Sequence, residues 1–154
     1  MIFNDVVEAI ENKRNKLFFM DGSGVTGKTF VYNTLLAYVR SHSNIALAVK
    51  FSGISALLLD GGRTAHSRFK IPLVINETSN CNISLQSDLA NLIKLCKLVV
   101  WDEAPMCNKY VFEAVDRCFK DIMKNENELF GGKVIVLCGD FCQILPVVVR
   151  GGRT

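Results

Sequence analysis

The stretch LFFMDGSGVTGKTF, Leu17 to Phe30, joins an apolar run to a glycine-rich turn and then to the start of a helical pattern. Gly22 to Thr29 matches G-x-x-x-x-G-K-[ST], a spacing in which glycines let backbone N–H groups close around phosphate oxygens. A helix that begins at Lys28 adds the partial positive charge of its N-terminus. The sequence therefore predicts a phosphate-binding loop made of Gly22, Gly24, Val25, Thr26, Gly27, Lys28 and Thr29.

The chemistry of that loop requires two particular side chains. Lys28 is predicted to reach the β- and γ-phosphates of a nucleotide, and the hydroxyl of Thr29 to bind Mg²⁺. The expected ligands are therefore the phosphate chain of a nucleotide and Mg²⁺.

The sequence contains four short apolar runs, at residues 17–20, 45–49, 98–101 and 133–139. None of them alternates apolar with polar residues, so each is predicted to be a strand buried on both faces, as in a parallel sheet. Helical patterns lie between the runs, with Leu85, Leu89, Leu92 and Ile93 predicted to share one helix face. The alternation predicts one α/β domain over residues 1–154, a three-layer sandwich with a mostly parallel sheet between helices.

Composition leaves the partner open. The chain has 154 residues, is 49% hydrophobic, and has a net charge of +3, which is too small to indicate nucleic acid by itself. The six cysteines form no CxxC pair, so a zinc site is not favoured and reduced core cysteines are expected. Charges in the first 16 residues argue against a signal peptide, and no apolar run approaches a membrane span of about 20 residues, so we expect an intracellular protein.

Two carboxylates follow the third apolar run. Asp102 and Glu103 come directly after Leu98 to Trp101, at the edge of a parallel sheet where ligands bind. Asp102 suits an indirect hold on Mg²⁺, from outside the ion's own coordination shell, and Glu103 suits the general base that takes a proton from the attacking water. The alternative is a helix N-cap with a solvated neighbour, which is the commoner role of such a pair when it stands alone.

Two other segments carry candidate residues. Gln143 follows the strand that ends near Asp140, and its amide could sense the γ-phosphate or simply bond a loop backbone. In Ser52 to Phe69, small hydroxyl and glycine residues precede Arg63, Thr64, His66, Ser67 and Arg68, a pattern that favours contact with a nucleic-acid backbone. For His66 a helix-cap or satisfied loop histidine is the alternative, and Phe69 is predicted to belong to the core.

Four stretches carry a resemblance to a known family. LFFMDGSGVTGKTFVYNTLLAYVR, SGISALLLDGGRTAHSRFKIPL, LVVWDEAPM and FGGKVIVLCGDFCQILPVV resemble the first motor domain of the petite-integration-frequency (Pif) DNA helicases. The DEAPM and GDFxQILPVV forms are similar to the divergent copies carried by Helitron-type transposons. The resemblance implies a RecA-like domain of helicase superfamily one, an ATP- and Mg²⁺-driven motor that moves 5′ to 3′ along single-stranded DNA.

The resemblance also implies roles for single residues. Lys28 and Thr29 match the Walker A lysine and threonine, Asp102 and Glu103 match Walker B, and Gln143 matches the glutamine that couples the γ-phosphate to the DNA track. The residues matching the segment that contacts DNA phosphates are Ser52, Gly53, Thr64 and His66. DNA repair, recombination, telomere maintenance and a nuclear location are implied as family roles.

The sequence departs from the family pattern in several places. No glutamine-bearing, adenine-reading motif precedes the first strand, Cys142 stands where many relatives have arginine, and Lys50 and Phe51 stand where small or hydroxyl residues are usual. The chain ends after the third motif, whereas the family's second RecA-like domain supplies arginines to the γ-phosphate.

These departures lead to the expectation of a nucleotide-binding half-motor with weak or no intrinsic hydrolysis. The alternative is a truncated, non-catalytic remnant of a transposon-borne helicase that binds nucleotide and single-stranded DNA. A small-molecule kinase is not favoured, because no arginine cluster is placed for a lid over an acceptor phosphate.

Overall fold

The computed structural model of the chain describes residues 2–14, 16–22, 27–56 and 62–140, without the side chains of Ile54 and Ser55. Within that part the strands form one parallel sheet, in the spatial order β1-β5-β4-β2-β3. The strands are β1 (Leu17–Asp21), β2 (Ile45–Lys50), β3 (Arg63–Thr64), β4 (Cys96–Asp102) and β5 (Val134–Gly139). The helices are α1 (Ile2–Glu11), α2 (Lys28–Ser41), α3 (Gly53–Ala56), α4 (Ala65–Phe69), α5 (Asp88–Leu95) and α6 (Lys109–Met123), with 3-10 helices at Ala104–Met106 and Leu129–Gly132.

Each face of the sheet has its own hydrophobic core, because successive side chains of a strand point to opposite faces. Along β5, Val136 belongs to the core shared with α1 and α2, whereas Ile135 and Leu137 belong to the core shared with α4, α5 and α6. The second core contains an aromatic cluster around Phe69. The centroid of the Phe69 ring lies 5.8 Å from that of Trp101 and 5.3 Å from that of Phe119, which it meets edge-on. The predicted three-layer α/β sandwich is confirmed, and Phe69 is a core residue, fully buried.

The helix boundaries follow local capping chemistry. Ser87 caps α5 by accepting a hydrogen bond from the Ala90 amide at 3.1 Å, and Asn108 caps α6 by accepting one from Tyr110 at 2.9 Å. Because Ser87 is the N-cap of α5, Leu85 lies before the helix, and it is 51% exposed. The predicted apolar face that included Leu85 was therefore wrong at its first member.

Helix α1 and strand β3 are among the elements that were not foreseen in the sequence. Helix α1 buries Val6 and Ala9 in the core that it shares with α2. Strand β3 has two residues and owes its existence to pairing with β2, through the registers Val49 with Arg63 and Lys50 with Thr64. A strand this short has no periodicity for a sequence to display.

The cysteines of the described part are free thiols. Cys96, Cys118 and Cys138 are buried, and Cys81 and Cys107 are half-buried. Burial raises the pKa of Cys107 to about 11 and also raises the pKa of Cys96. These groups are protonated at neutral pH and pack as small apolar side chains, as the sequence predicts.

No helix in the ranges given above is long and apolar enough to cross a bilayer.

A buried lysine ties α5 to β5, and it gives a test of the fold. The Lys133 ammonium donates to the carbonyl oxygens of Lys94 and Cys96, at 2.8 and 2.7 Å, at the end of α5 where carbonyls have no partner in the helix. Lys133→Met removes the buried ammonium that donates to both carbonyls, so we expect the free energy of unfolding to fall by about 1–3 kcal/mol. Urea denaturation measures this. Lys97→Met, which removes the same charge from an exposed side chain nearby, is the control and is expected to leave stability unchanged. Equal stability of the two variants would contradict the assignment.

Candidate nucleotide site

The carboxyl ends of the parallel strands meet along one edge of the sheet and surround a cavity of about 540 Å³. Strand β2 ends here with Lys50, β4 with Asp102, and β5 with Gly139. Ligands of open α/β sheets bind at this edge. The cavity is lined by Lys28, Thr29, Tyr32, Lys50, Phe51, Ser52, Asp102, Glu103, Pro105, Met106, Gly139 and Asp140.

Helix α2 points its N-terminus into this cavity. Gly27 precedes the helix with φ 75° and ψ 15°, a left-handed conformation that costs glycine little, and its carbonyl accepts from the Val31 amide at 3.2 Å. Gly27 has no side chain, so the N-cap position supplies no side-chain acceptor to this helix end. The helix begins at Lys28 as predicted, and Lys28 and Thr29 line the cavity.

The first part of the phosphate-binding loop is only partly described. The amide of Gly22 donates to the carbonyl of Gly139 at 3.3 Å, which continues the pairing of β1 with β5 to the beginning of the loop. Gly24, Val25 and Thr26 lie outside the described residues, and so does Gln143.

Asp102 accepts hydrogen bonds from three different elements. Its Oδ2 accepts from the Tyr32 hydroxyl at 2.9 Å and lies 3.1 Å from the Lys50 ammonium, and its Oδ1 accepts from the Glu103 amide at 2.8 Å. The Tyr32 hydroxyl also lies 3.0 Å from Thr29 Oγ1, so it bridges the two residues predicted to hold Mg²⁺. Burial, and to a lesser degree the Asp102 carboxylate, raises the pKa of Tyr32, which keeps the phenol protonated and able to donate.

Glu103 adopts a left-handed conformation, with φ 56° and ψ 28°, that few residues other than glycine adopt. It precedes the 3-10 helix Ala104–Met106 without capping it, and its Oε2 instead accepts from the Ser52 amide at 2.9 Å. The alternative of a simple helix cap is therefore wrong for Glu103. The side chain spans from β4 to the segment after β2.

Gly139 allows the segment after Glu103 to lie against the end of β5. A Cβ atom at position 139 would be 2.3 Å from Pro105 Cδ, closer than any real contact. The glycine is thus required by close approach, which the sequence could not reveal.

The residues expected to contact DNA lie beside this cavity. Ser52 and Gly53 follow β2, while Thr64 ends β3 in register with Lys50, so the two short segments are neighbours at the same edge. Thr64 caps α4 by accepting from the Ser67 amide at 3.1 Å, and His66 is half-buried in the first turn of that helix. The capping role belongs to Thr64, and not to His66 as the alternative had it.

The oxygen atoms expected to hold Mg²⁺ are present, but Asp102 Oδ2 already pairs with a cation. Thr29 Oγ1 and Asp102 supply the hard ligands that magnesium prefers, and the Tyr32 hydroxyl joins them. The Lys50 ammonium, however, lies 3.1 Å from Asp102 Oδ2, and the two side chains are only 9% and 10% exposed. In the ranges that the structure covers, no group of three His, Cys, Asp or Glu residues is placed to hold a metal. The residues present do not fit a magnesium ion at Asp102 while Lys50 is there.

Sequence reasoning missed Tyr32 and the role of Lys50. Tyr32 is in the apolar stripe of α2 and nothing in the pattern shows that its hydroxyl points to the sheet edge. Lys50 carried a signal, since a lysine ends an apolar run at a position where the resemblance leads one to expect a small residue. Only the register of β2 with β4 shows its partner.

The fold and the site define the class of RecA-like phosphate-loop domains. A family model described as "PIF1-like helicase" matches residues 1–154, and the chain belongs to that family. The sequence is 30% identical over 147 residues to the ATP-dependent DNA helicase Pif1 of Campylobacter jejuni, covering 91% of this chain and 31% of the relative. It is 31% identical over 149 residues to the ATP-dependent DNA helicase RRM3 of Saccharomyces cerevisiae, covering 94% and 20%. The chain thus spans about a third or less of these curated relatives.

The solved structures agree with the sequence comparison. The Pif1 helicase from Bacteroides in complex with ADP-AlF3 and single-stranded DNA matches with a TM-score of 0.75 and 26% identity, over 98% of this chain and 34% of that one. Unliganded Pif1 from Bacteroides matches with a TM-score of 0.69 and 26% identity, over 94% and 32%. The resemblance of the four motifs to the Pif helicase family is confirmed.

The packing of Gly139 gives a test of this site. Gly139→Ala forces Pro105 away from β5 and with it displaces Glu103, so we expect a loss of about 1–3 kcal/mol in unfolding free energy. Urea unfolding measures the loss. In Gly53→Ala the new Cβ would meet Thr64 Cγ2 at an ordinary 3.8 Å, so this control is expected to keep the stability of the unmutated chain. A Gly139→Ala protein as stable as the control would show that Pro105 does not pack as described.

Proposed function

We propose that the chain is the first RecA-like motor domain of a superfamily-one, 5′-to-3′ ATP-dependent DNA helicase, occupying residues 1–154. In this proposal it binds ATP at the carboxyl edge of the sheet and couples hydrolysis to single-stranded DNA. The observation that carries it is the convergence of Lys28, Asp102 and Glu103 on one cavity.

The nucleotide phosphates are assigned to the N-terminus of α2. Gly27 turns the chain into the helix and has no side chain to cap its first N–H groups, and Lys28 begins the helix beside them. These are the features that bind a phosphate chain through backbone donors and one ammonium. The proposed nucleotide ligands are Gly22, Gly24, Val25, Thr26, Gly27, Lys28 and Thr29.

Water activation is assigned to Glu103. Its carboxylate lines the cavity and accepts from the Ser52 amide through Oε2. That bond holds the side chain across the cavity, and a carboxylate so held is placed to take a proton from water. Gln143 is proposed as the group that senses the γ-phosphate.

The DNA backbone is assigned to the segments after β2 and β3. Ser52, Gly53, Thr64 and His66 are neighbours there, and the exposed Arg63 adds positive charge. Ser52 belongs to this surface, and its backbone amide also donates a hydrogen bond to Glu103 Oε2 at 2.9 Å. A DNA strand bound at Ser52 would therefore contact a residue that positions Glu103, the group assigned to water activation.

A second function has an observation of its own. The pair of Lys50 with Asp102 places an ammonium where the family expects a divalent ion, and this favours a domain that binds nucleotide and DNA with little or no turnover. The Mg²⁺ expected at Thr29 and Asp102 is the part of the proposed site that this geometry supports least. Roles in DNA repair, recombination and telomere maintenance, and a nuclear location, are proposals that rest on the family alone.

The first experiment compares binding with turnover. A fluorescent ATP analogue is expected to bind the unmutated chain, to lose about tenfold or more in affinity with Lys28→Ala, and to bind Glu103→Gln normally. Steady-state ATPase with single-stranded DNA is expected to fall by about 10²-fold or more in Glu103→Gln.

The outcomes separate the two proposals. Binding without turnover above the level of Lys28→Ala would support the binding domain over the motor. Absence of nucleotide binding by the unmutated chain would overturn both.

The DNA surface has a separate test. Arg63→Gln is expected to weaken binding of a labelled oligothymidine and to lower the slope of log affinity against log salt by about 0.7, because one phosphate contact is lost. Arg14→Gln removes the same charge from the opposite end of the sheet, before β1, and serves as the control. Equal affinity of the two variants for the oligothymidine would indicate that DNA binds at another surface of the chain. Fluorescence anisotropy at several salt concentrations measures both quantities.

A further inference from the structure

The pairing of Lys50 with Asp102 follows from the register of the sheet. β2 and β4 are parallel neighbours, and their last residues, Lys50 and Asp102, are partners in that register. Both side chains lie on the face covered by α2, as Ala48 and Val100 do one pleat earlier. The ion pair is therefore held by two strands and does not depend on a loop.

The pair is also buried and strongly constrained. The Nζ to Oδ2 distance is 3.1 Å, and the side chains are 9% and 10% exposed. Asp102 additionally accepts from Tyr32 and from the Glu103 amide, so donors occupy about three of the four lone-pair positions of the carboxylate. A divalent ion that bound Asp102 Oδ2 would have to displace Lys50 from a site in which an unpaired charge is unfavourable.

The ammonium of Lys50 is part of the same cavity as the nucleotide ligands. Lys28 and Lys50 both line it, one at the start of α2 and the other at the end of β2. A nucleotide triphosphate needs positive charge on more than one side of its phosphate chain. The Lys50 ammonium neutralises the Asp102 carboxylate, so it offsets negative charge in the cavity that an ion from solution would otherwise have to offset.

We propose that Lys50 is a tethered cation that substitutes for the divalent ion at Asp102, so that the chain binds a nucleotide triphosphate with little requirement for Mg²⁺. This inference rests on the nucleotide site proposed above. It concerns the ion requirement of binding and holds for either of the two functions proposed for the chain.

The experiment measures the affinity of a fluorescent ATP analogue in EDTA and in excess Mg²⁺. The unmutated chain is expected to bind with affinities that differ by less than about threefold between the two conditions. Lys50→Ala removes the ammonium and opens space at Asp102, so its affinity is expected to fall by about tenfold or more in EDTA and to recover in Mg²⁺. Lys97→Met, which removes an exposed lysine, is the matched control and is expected to behave as the unmutated chain.

A second readout follows the metal without nucleotide turnover. Mn²⁺ in complex with the nucleotide and protein, detected by electron paramagnetic resonance, is expected to bind Lys50→Ala more tightly than the unmutated chain. If Lys50→Ala does not fold, the comparison of EDTA with Mg²⁺ in the unmutated chain still decides the question.

The possible failures are distinct. An affinity of the unmutated chain that rises about tenfold or more with Mg²⁺, and is insensitive to Lys50→Ala, would overturn the tethered cation and leave the nucleotide site intact. Absence of binding in both conditions, with Lys28→Ala indistinguishable from the unmutated chain, would overturn the nucleotide site itself.

Discussion

The Asp102 carboxylate is the point at which the elements around the cavity are joined. It accepts from Tyr32 of α2, pairs with Lys50 of β2, and accepts from the Glu103 amide at the beginning of the next segment. A carboxylate at a buried strand end requires such donors, because burial of an unpaired charge is strongly unfavourable. The position of α2 over the sheet, and of the loop residues Lys28 and Thr29 that begin it, thus depends on the same contacts that satisfy Asp102.

The alternation of side chains along the strands decides which groups can reach that point. Asp102 shares a sheet face with Leu98 and Val100, and Lys50 shares it with Ala46 and Ala48. Trp101 points to the opposite face, into the aromatic core under α6. A slip of one residue in the register of β2 would send Lys50 to the other face and expose Asp102 to a different neighbour. Local chemistry at the site is therefore inseparable from the packing of both cores.

Glu103 links the site to the surface assigned to DNA. Its left-handed backbone turns the chain out of β4, and the bond from the Ser52 amide fixes the side chain toward the end of β2. Gly139 makes this turn possible because Pro105 occupies the space that a Cβ would need. Under the proposed function, the hydrogen bond from the Ser52 amide to Glu103 would connect bound DNA to the residue assigned to water activation.

The sequence by itself determined four of the five described strands, the phosphate-loop pattern and the acidic strand end. Apolar runs without alternation predict buried parallel strands, and G-x-x-x-x-G-K-[ST] between a strand and a helix has few other uses. The four motifs, together with this order, also indicated the family. These features are local, so a one-dimensional pattern is enough to carry them.

Only the tertiary structure decided the partners of those residues. The ion pair of Lys50 with Asp102 joins positions far apart in the chain, and it exists because β2 and β4 are neighbours in a particular register. Tyr32, Gly139 and the two-residue strand β3 likewise owe their roles to contacts across the sheet edge. Leu85 shows that apolar spacing alone can mislead. It continues the apolar pattern of α5 toward the N-terminus, but the helix starts only after its cap Ser87, and Leu85 is exposed. Periodicity reports which residues can be buried, whereas distance in three dimensions decides which groups meet.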